Sequence, residues 1–118
     1  MKVAPFDRNL YLANAGVLED FAKETVLSFL ETLPKLTTDI EMAITSKNAS
    51  ELEFAAHSLK GAISHFYAEP SRLLCWKLEQ MGHGKDFDGM KKTFCDLKME
   101  LDRLVQALKE FANERNAA

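Results

Sequence analysis

"SELEFAAHSLKGAISHFY", residues 50 to 67, decides which regular structure this chain builds. Leu52, Ala55, Ala56, Leu59, Ala62, Ile63 and Phe66 recur at steps of three and four, which gathers side chains on one side of an α-helix. A strand would bring alternate residues to one face, and no such alternation is present. His57, Lys60, Gly61 and Ser64 stand at i, i+3, i+4 and i+7 and form a second, outward face. Ser50 followed by Glu53 has capping-box spacing, which predicts a helix start at Ser50 and an end near Tyr67.

The anomaly on that outward face is the glycine, because a mid-helix glycine costs about 1 kcal/mol relative to alanine. Gly61 lies one turn from His57, and the missing side chain gives the imidazole an open flank. Lys60, also one turn away, puts an ammonium near whatever the ring carries. Neutral imidazole is a nucleophile near pH 7. A lysine offsets anionic charge as a compact point charge. The three positions suit an imidazole that receives a phosphoryl group, a reaction that asks a protein mainly for positioning and charge. The ordinary reading of the same residues is a surface histidine, a solvated lysine and a glycine at a close helix contact. Spacing by itself leaves both readings open.

The helical period extends in both directions. Upstream, Leu18, Phe21, Ala22, Val26, Phe29, Leu30 and Leu33 make a stripe beginning at Val17. Leu36, Ile40, Ala43 and Ile44 resume it beyond Pro34, so one long helix kinked near Pro34 is expected. Ahead of it, "FDRNLYLANAG" predicts a short helix presenting Leu10 and Leu12 and stopped by Gly16. Downstream, Pro70 disfavours a helical Glu69 and fits the first turn of a fourth helix, "SRLLCWKLEQMG", with Leu74, Cys75 and Leu78 inward. "GHGKDFDG", residues 82 to 89, reads as a loop. A last helix from about Met90 to Ala112 turns Phe94, Leu97, Leu101, Leu104, Val105, Leu108 and Phe111 inward. The expected fold class is all-α: an antiparallel four-helix bundle with a short additional N-terminal helix, in a single domain over residues 1–118.

Composition narrows the function. The 118 residues carry a net charge of −3, and the lysines are interleaved with acids, so no basic stripe invites nucleic acid. No apolar run reaches the length of a membrane span. "MKVAPFDRN" lacks the apolar segment of a signal peptide, and two cysteines are too few for a disulfide scaffold. A cytoplasmic protein with reduced thiols is expected. The start at Met1 and the tapering "NERNAA" end lead us to expect a free-standing protein. His65 lies about 80° round the helix from His57 and reads as a partly exposed helix residue. His83, between two glycines, reads as solvated. The three histidines with Cys75 and Cys95 lack the close paired spacing of a zinc site. Cys75 falls on a core face, Cys95 reads as a thiol that is free to be exposed, and Trp76 as half-buried. No glycine-rich phosphate loop is present, so the chain lacks the parts of an ATP-using kinase.

At His57-Ser58-Leu59-Lys60-Gly61 the sequence resembles the histidine phosphotransfer (HPt) domains, whose short signature is H-x-L-K-G. Ala55, Ala56 and Ala62 match the small residues usual around it. "LLCWKLE", residues 73–79, looks like the family's Leu-Cys-x-x-Leu-Glu helix, and "FLETLPKL", residues 29–36, like its proline-containing long helix. The resemblance covers about residues 17 to 110. It implies a four-helix bundle with an exposed phospho-accepting histidine. Carried over by motif, His57 is the acceptor, Lys60 the phosphate-stabilising residue and Gly61 the open flank. The partners implied are response-regulator receiver domains and a hybrid sensor histidine kinase. No cofactor is implied for this chain, magnesium belonging to the receiver's acidic pocket, and no kinase activity of its own; a monomer is expected. Tyr67 departs from the pattern, standing where many members have glycine. Two rivals remain. One is a helical interaction module that docks on a receiver or kinase without accepting phosphate, which intact His57 and Lys60 argue against. The other is the phospho-accepting part of a larger kinase.

Overall fold

The computed structural model describes residues 3–14 and 19–117. Five helices follow in order: α1 (Arg8–Asn14), α2 (Glu19–Thr45), α3 (Ala49–Ser64), α4 (Glu69–His83) and α5 (Met90–Ala117). Among the described residues there is no strand. Short connections make successive long helices antiparallel. α2 packs on α3 and α5, and α4 packs on the same two, which closes a ring of four helices around one core. No helix is long and apolar enough to cross a membrane, among the described residues.

The period-3.6 stripes explain which faces close on the core. On α3, Leu52, Ala55, Ala56, Leu59 and Ile63 are buried, Phe66 is buried just beyond the helix end, and Ala62 is half-buried. The stripe read for α5 is buried too, with Val105 half-buried. On α2, Ala22, Val26, Phe29, Leu33, Ile40, Ala43 and Ile44 face inward. Phe21 does not: it is 57% exposed. It sits about 100° round the helix from Ala22, outside the arc that Ala22, Val26, Phe29 and Leu33 define. Gly16, Val17 and Leu18, to which a helix stop and the start of a stripe were assigned, lie outside the described residues. Pro34 is accommodated within α2, which runs unbroken past it.

The ends of α3 differ from the expected ones. The N-cap is Asn48, not Ser50: the Asn48 side chain accepts a hydrogen bond from the Glu51 N–H at 3.1 Å, and the helix begins at Ala49. Asn48 and Glu51 have the same three-residue spacing as the pair read from the sequence, and Asn is as good a cap as Ser. At the other end α3 closes at Ser64, because Tyr67 adopts φ of +54°, the left-handed region that glycine enters most readily. The departure at Tyr67 is therefore one of backbone conformation.

That turn also anchors the segment ahead of α1. The Asp7 N–H donates to the Tyr67 carbonyl at 3.1 Å, and Arg103 of α5 donates to the Val3 carbonyl at 2.8 Å. Phe6 and Tyr11 then join Phe66 and Phe111 in an aromatic cluster that caps this pole of the bundle. In α1 it is Tyr11 that is buried, its hydroxyl donating to the Ala22 carbonyl, while Leu10 is exposed. Arg8 pairs with Glu114 of α5 at the same pole.

Gly82 belongs to α4 and not to the loop that follows. It is buried where α4 crosses α3, and a Cβ there would lie 2.8 Å from both the Ala49 carbonyl oxygen and the Glu53 nitrogen. This close approach sets the register of the two helices.

Candidate phosphoryl-acceptor site

Because the apolar stripe of α3 is clamped between α2 and α4, the rotation of α3 is fixed. His57, at its middle, is turned to the surface, its side chain 67% exposed. α4 runs alongside with Cys75 and Leu78 in the core, so Glu79, the residue after Leu78, emerges at the edge of the α3–α4 seam. There its carboxylate meets two groups of α3. Oε2 lies 3.2 Å from His57 Nδ1, and Oε1 lies 2.7 Å from Lys60 Nζ. A Cβ on Gly61 would meet nothing within 4 Å, so the flank of the imidazole is open.

The structure thus brings His57, Lys60 and Gly61 together on one face, with a difference. Lys60 is not a solvated charge: its side chain is only 21% exposed and is engaged by Glu79, itself 16% exposed. Burial pushes the Glu79 carboxyl up, but hydrogen bonds and charge from Lys60 and His57 more than offset it and hold the group below the ordinary range. Glu79 was not singled out from the sequence, although it ends the quoted "LLCWKLE". Its role depends on which α4 residue faces His57, and that register is set by the crossing at Gly82.

His83 is exposed, as read, but it does not lie in a loop. It closes α4, and its Nδ1 lies 2.9 Å from Glu53 Oε2 on α3. His65 is exposed, beside a shallow groove lined by Phe21, Thr25 and Phe66. Cys75 is buried, which pushes its thiol up to about 12, with Lys60 lowering it and Glu79 raising it by lesser amounts. Cys95 is exposed. No group of three or more His, Cys, Asp or Glu is placed to hold a metal ion, among the described residues. Between α2 and α3 an open groove is lined by Leu36, Met42 and Phe54, with Lys35, Asp39 and Glu51 at the same groove, and Phe54 is 75% exposed.

A family model described as the Hpt domain matches residues 24–111. Among solved structures, the chain is similar to histidine-containing phosphotransfer protein B (HptB) from Pseudomonas aeruginosa PAO1. The TM-score is 0.88 at 18% identity, over 96% of this chain and 98% of that one. No curated protein matches the chain.

Proposed function

The chain belongs to the Hpt domain family and is a histidine phosphotransfer protein of phosphorelay signalling, and from that premise we propose that His57 is its phosphoryl acceptor. The observation that carries this is the setting of His57: an exposed imidazole in the middle of α3, with open space at Gly61 and the Lys60 ammonium at its side. Hpt domains interact with receiver domains and kinases. In the exchange with a receiver, an imidazole lone pair attacks the phosphorus of the aspartyl phosphate. A nitrogen–phosphorus bond forms, and the phosphorus–oxygen bond to the aspartate breaks. The carboxylate leaves with the electron pair and needs no proton. Onward transfer to a second receiver is the reverse of this step. Lys60 offsets charge on the phosphoryl group, and Gly61 lets the donor approach.

The donor is a receiver-domain aspartate or a hybrid sensor histidine kinase, and the acceptor is a response-regulator receiver. Magnesium resides in the receiver's acidic pocket. The groove at Leu36, Met42 and Phe54 supports docking of such a folded partner beside His57. The protein acts as a cytoplasmic monomer, one domain over residues 1–118. The test is incubation with phosphorylated receivers from the same organism. Acid-labile, base-stable label is expected on the parent and none on His57→Gln with its helical circular dichroism intact. Label retained by that variant would overturn the assignment.

A further inference from the structure

Of the two phenylalanines of α2, the core takes Phe29 and leaves Phe21 57% exposed. The Phe21 ring stands at the groove beside His65, which opens between α2 and α3 and continues round Phe21 to Ser64 and Tyr67 at the end of α3. Three hydroxyls line this groove with their protons already committed to the backbone. Thr25 donates to the Phe21 carbonyl at 2.9 Å, Thr32 to the Phe29 carbonyl at 3.1 Å and Ser64 to the Lys60 carbonyl at 2.7 Å. Toward a ligand these oxygens therefore act as acceptors. With histidine neutral, Glu24 carries the one formal charge among the described residues that line the groove, and it is exposed. The groove at Phe54, by contrast, sets Lys35 beside Asp39 and Glu51 and has no single sign.

We propose that the groove beside His65 takes an arginine side chain of the docked receiver, the guanidinium lying on the Phe21 ring and donating to the Glu24 carboxylate and the Thr25 hydroxyl oxygen. This rests on the reading of the chain as a receiver's partner in phosphoryl exchange. A guanidinium is a planar cation with five N–H donors and no acceptor, and it stacks on aromatic faces. Phe21, Glu24 and Thr25 supply what such a group needs within about one turn of α2: a ring face, a negative charge and a lone pair. A carboxylate entering the same groove would meet the like charge of Glu24. The place suits a receiver that has come to His57. His65 lies eight residues along α3 from His57, about 12 Å at the rise of an α-helix and about 80° round it. Gly61 falls midway, about 40° from each, with no side chain to part the acceptor from the groove. A standard interface takes about 800 Å² of each partner, a disc about 16 Å in radius, so a receiver centred on His57 reaches the groove. A charge at the rim governs encounter and register more than chemistry.

The test uses the full chain and the receiver, from the same organism, that exchanges phosphate with it fastest. Exchange is measured against receiver concentration at low and high salt, and phosphoramidate, a small donor that needs no partner protein, labels His57 in parallel. Glu24→Gln should raise KM about threefold, the worth of an exposed charge pair, with kcat unchanged and a flatter dependence on salt. Glu24→Lys should raise KM by about tenfold or more through like-charge repulsion, and Phe21→Ala by about fivefold through lost stacking. All three variants should take label from phosphoramidate at the parent rate, because none of these residues lies at the phosphoryl site. Alanine in place of each exposed arginine of the receiver, one at a time, should find one whose loss raises KM comparably and adds little to Glu24→Gln. An unchanged KM in Glu24→Lys, or the absence of any such arginine, would overturn the inference while leaving His57 as acceptor. A lower KM in Glu24→Lys would give the groove to an acidic segment and overturn it equally. Absence of label from His57 of the parent with either donor would overturn the function proposed above.

Discussion

Alanine in place of glycine should have opposite effects at two positions, one on α4 and one on α3: loss at Gly82, gain at Gly61. At Gly82 the added Cβ would stand 2.8 Å from the Ala49 carbonyl oxygen, 2.8 Å from the Glu53 nitrogen and 3.1 Å from the Glu53 Cα. Carbon atoms in contact prefer about 3.5–4.0 Å. All three obstacles are backbone atoms of α3 and cannot rotate aside, so α4 has to move away as a unit. Overpacking of this kind costs about 1–3 kcal/mol, and backbone obstacles place Gly82 near the upper end. Better helix propensity returns about 1 kcal/mol. The net loss is then about 2 kcal/mol, which for a chain of this size lowers the melting temperature by roughly 8 °C. At Gly61 nothing opposes the Cβ, and propensity alone acts, raising stability by about 0.5–1 kcal/mol. The assay is thermal unfolding of both single variants by circular dichroism, with phosphoryl exchange measured alongside. Glu79 lies one turn from Gly82, so the displaced α4 should also draw the carboxylate from His57 and slow exchange. A Gly82→Ala protein that melts at or above the parent temperature would refute the close crossing. A destabilised Gly61→Ala protein would refute the open flank.

Gly61→Gln should melt no lower than the parent yet exchange phosphate poorly with a receiver, because its side chain fills the space beside His57; unimpaired transfer would show that space to be unnecessary. Lys60→Ala should slow transfer and also cost about 1–2 kcal/mol, since Glu79 in the seam loses its cation; denaturant unfolding and exchange rates check both. Glu79 titrates below its ordinary value of 4.5 in the folded state, so its contribution to stability is fully present above that value and is lost as pH falls through the folded one. Acid unfolding followed by circular dichroism should accordingly be less steep for Glu79→Gln, and an unchanged profile would remove Glu79 from that balance. Tyr67→Gly should be more stable than Tyr67→Ala by about 1 kcal/mol, because only alanine keeps the Cβ that the left-handed backbone resists; equal melting temperatures would contradict the strain.

The bundle was legible in the sequence because burial follows a single period along each helix. Leu52 through Phe66 and Phe94 through Phe111 needed nothing beyond that period. Features set by one residue's backbone or by a neighbouring element were not legible. Asn48 and Ser50 are both competent caps two residues apart, and only the path of the chain chooses between them. Tyr67 ends α3 through a positive φ that its side chain does not advertise. Tyr11 is buried and Leu10 exposed because a hydroxyl finds the Ala22 carbonyl, which no hydrophobic pattern encodes. At the site, the α3 contribution could be read from spacing within one helix. Glu79 could not, because its meeting with His57 and Lys60 is a fact about register between helices, fixed by the crossing at Gly82.

The hydrogen bond from Asp7 to the Tyr67 carbonyl and the pairing of Arg8 with Glu114 hold the start of α1 and the last turns of α5 at one pole, while Val3 lies back along α5 at Arg103. His57 is some seven residues along α3 from that pole, about 10 Å at the rise of an α-helix. An affinity handle, a fluorophore or a fused domain attached after α5 would therefore project from the cap of the bundle, and one attached ahead of Val3 would leave from the face between α4 and α5, away from the imidazole at the α3–α4 seam. A peptide linker could also join the two ends, and new ends could be opened in the loop between α4 and α5. Such a rearranged chain would present the same face on a different thread, making the bundle a cassette that can be inserted into other proteins.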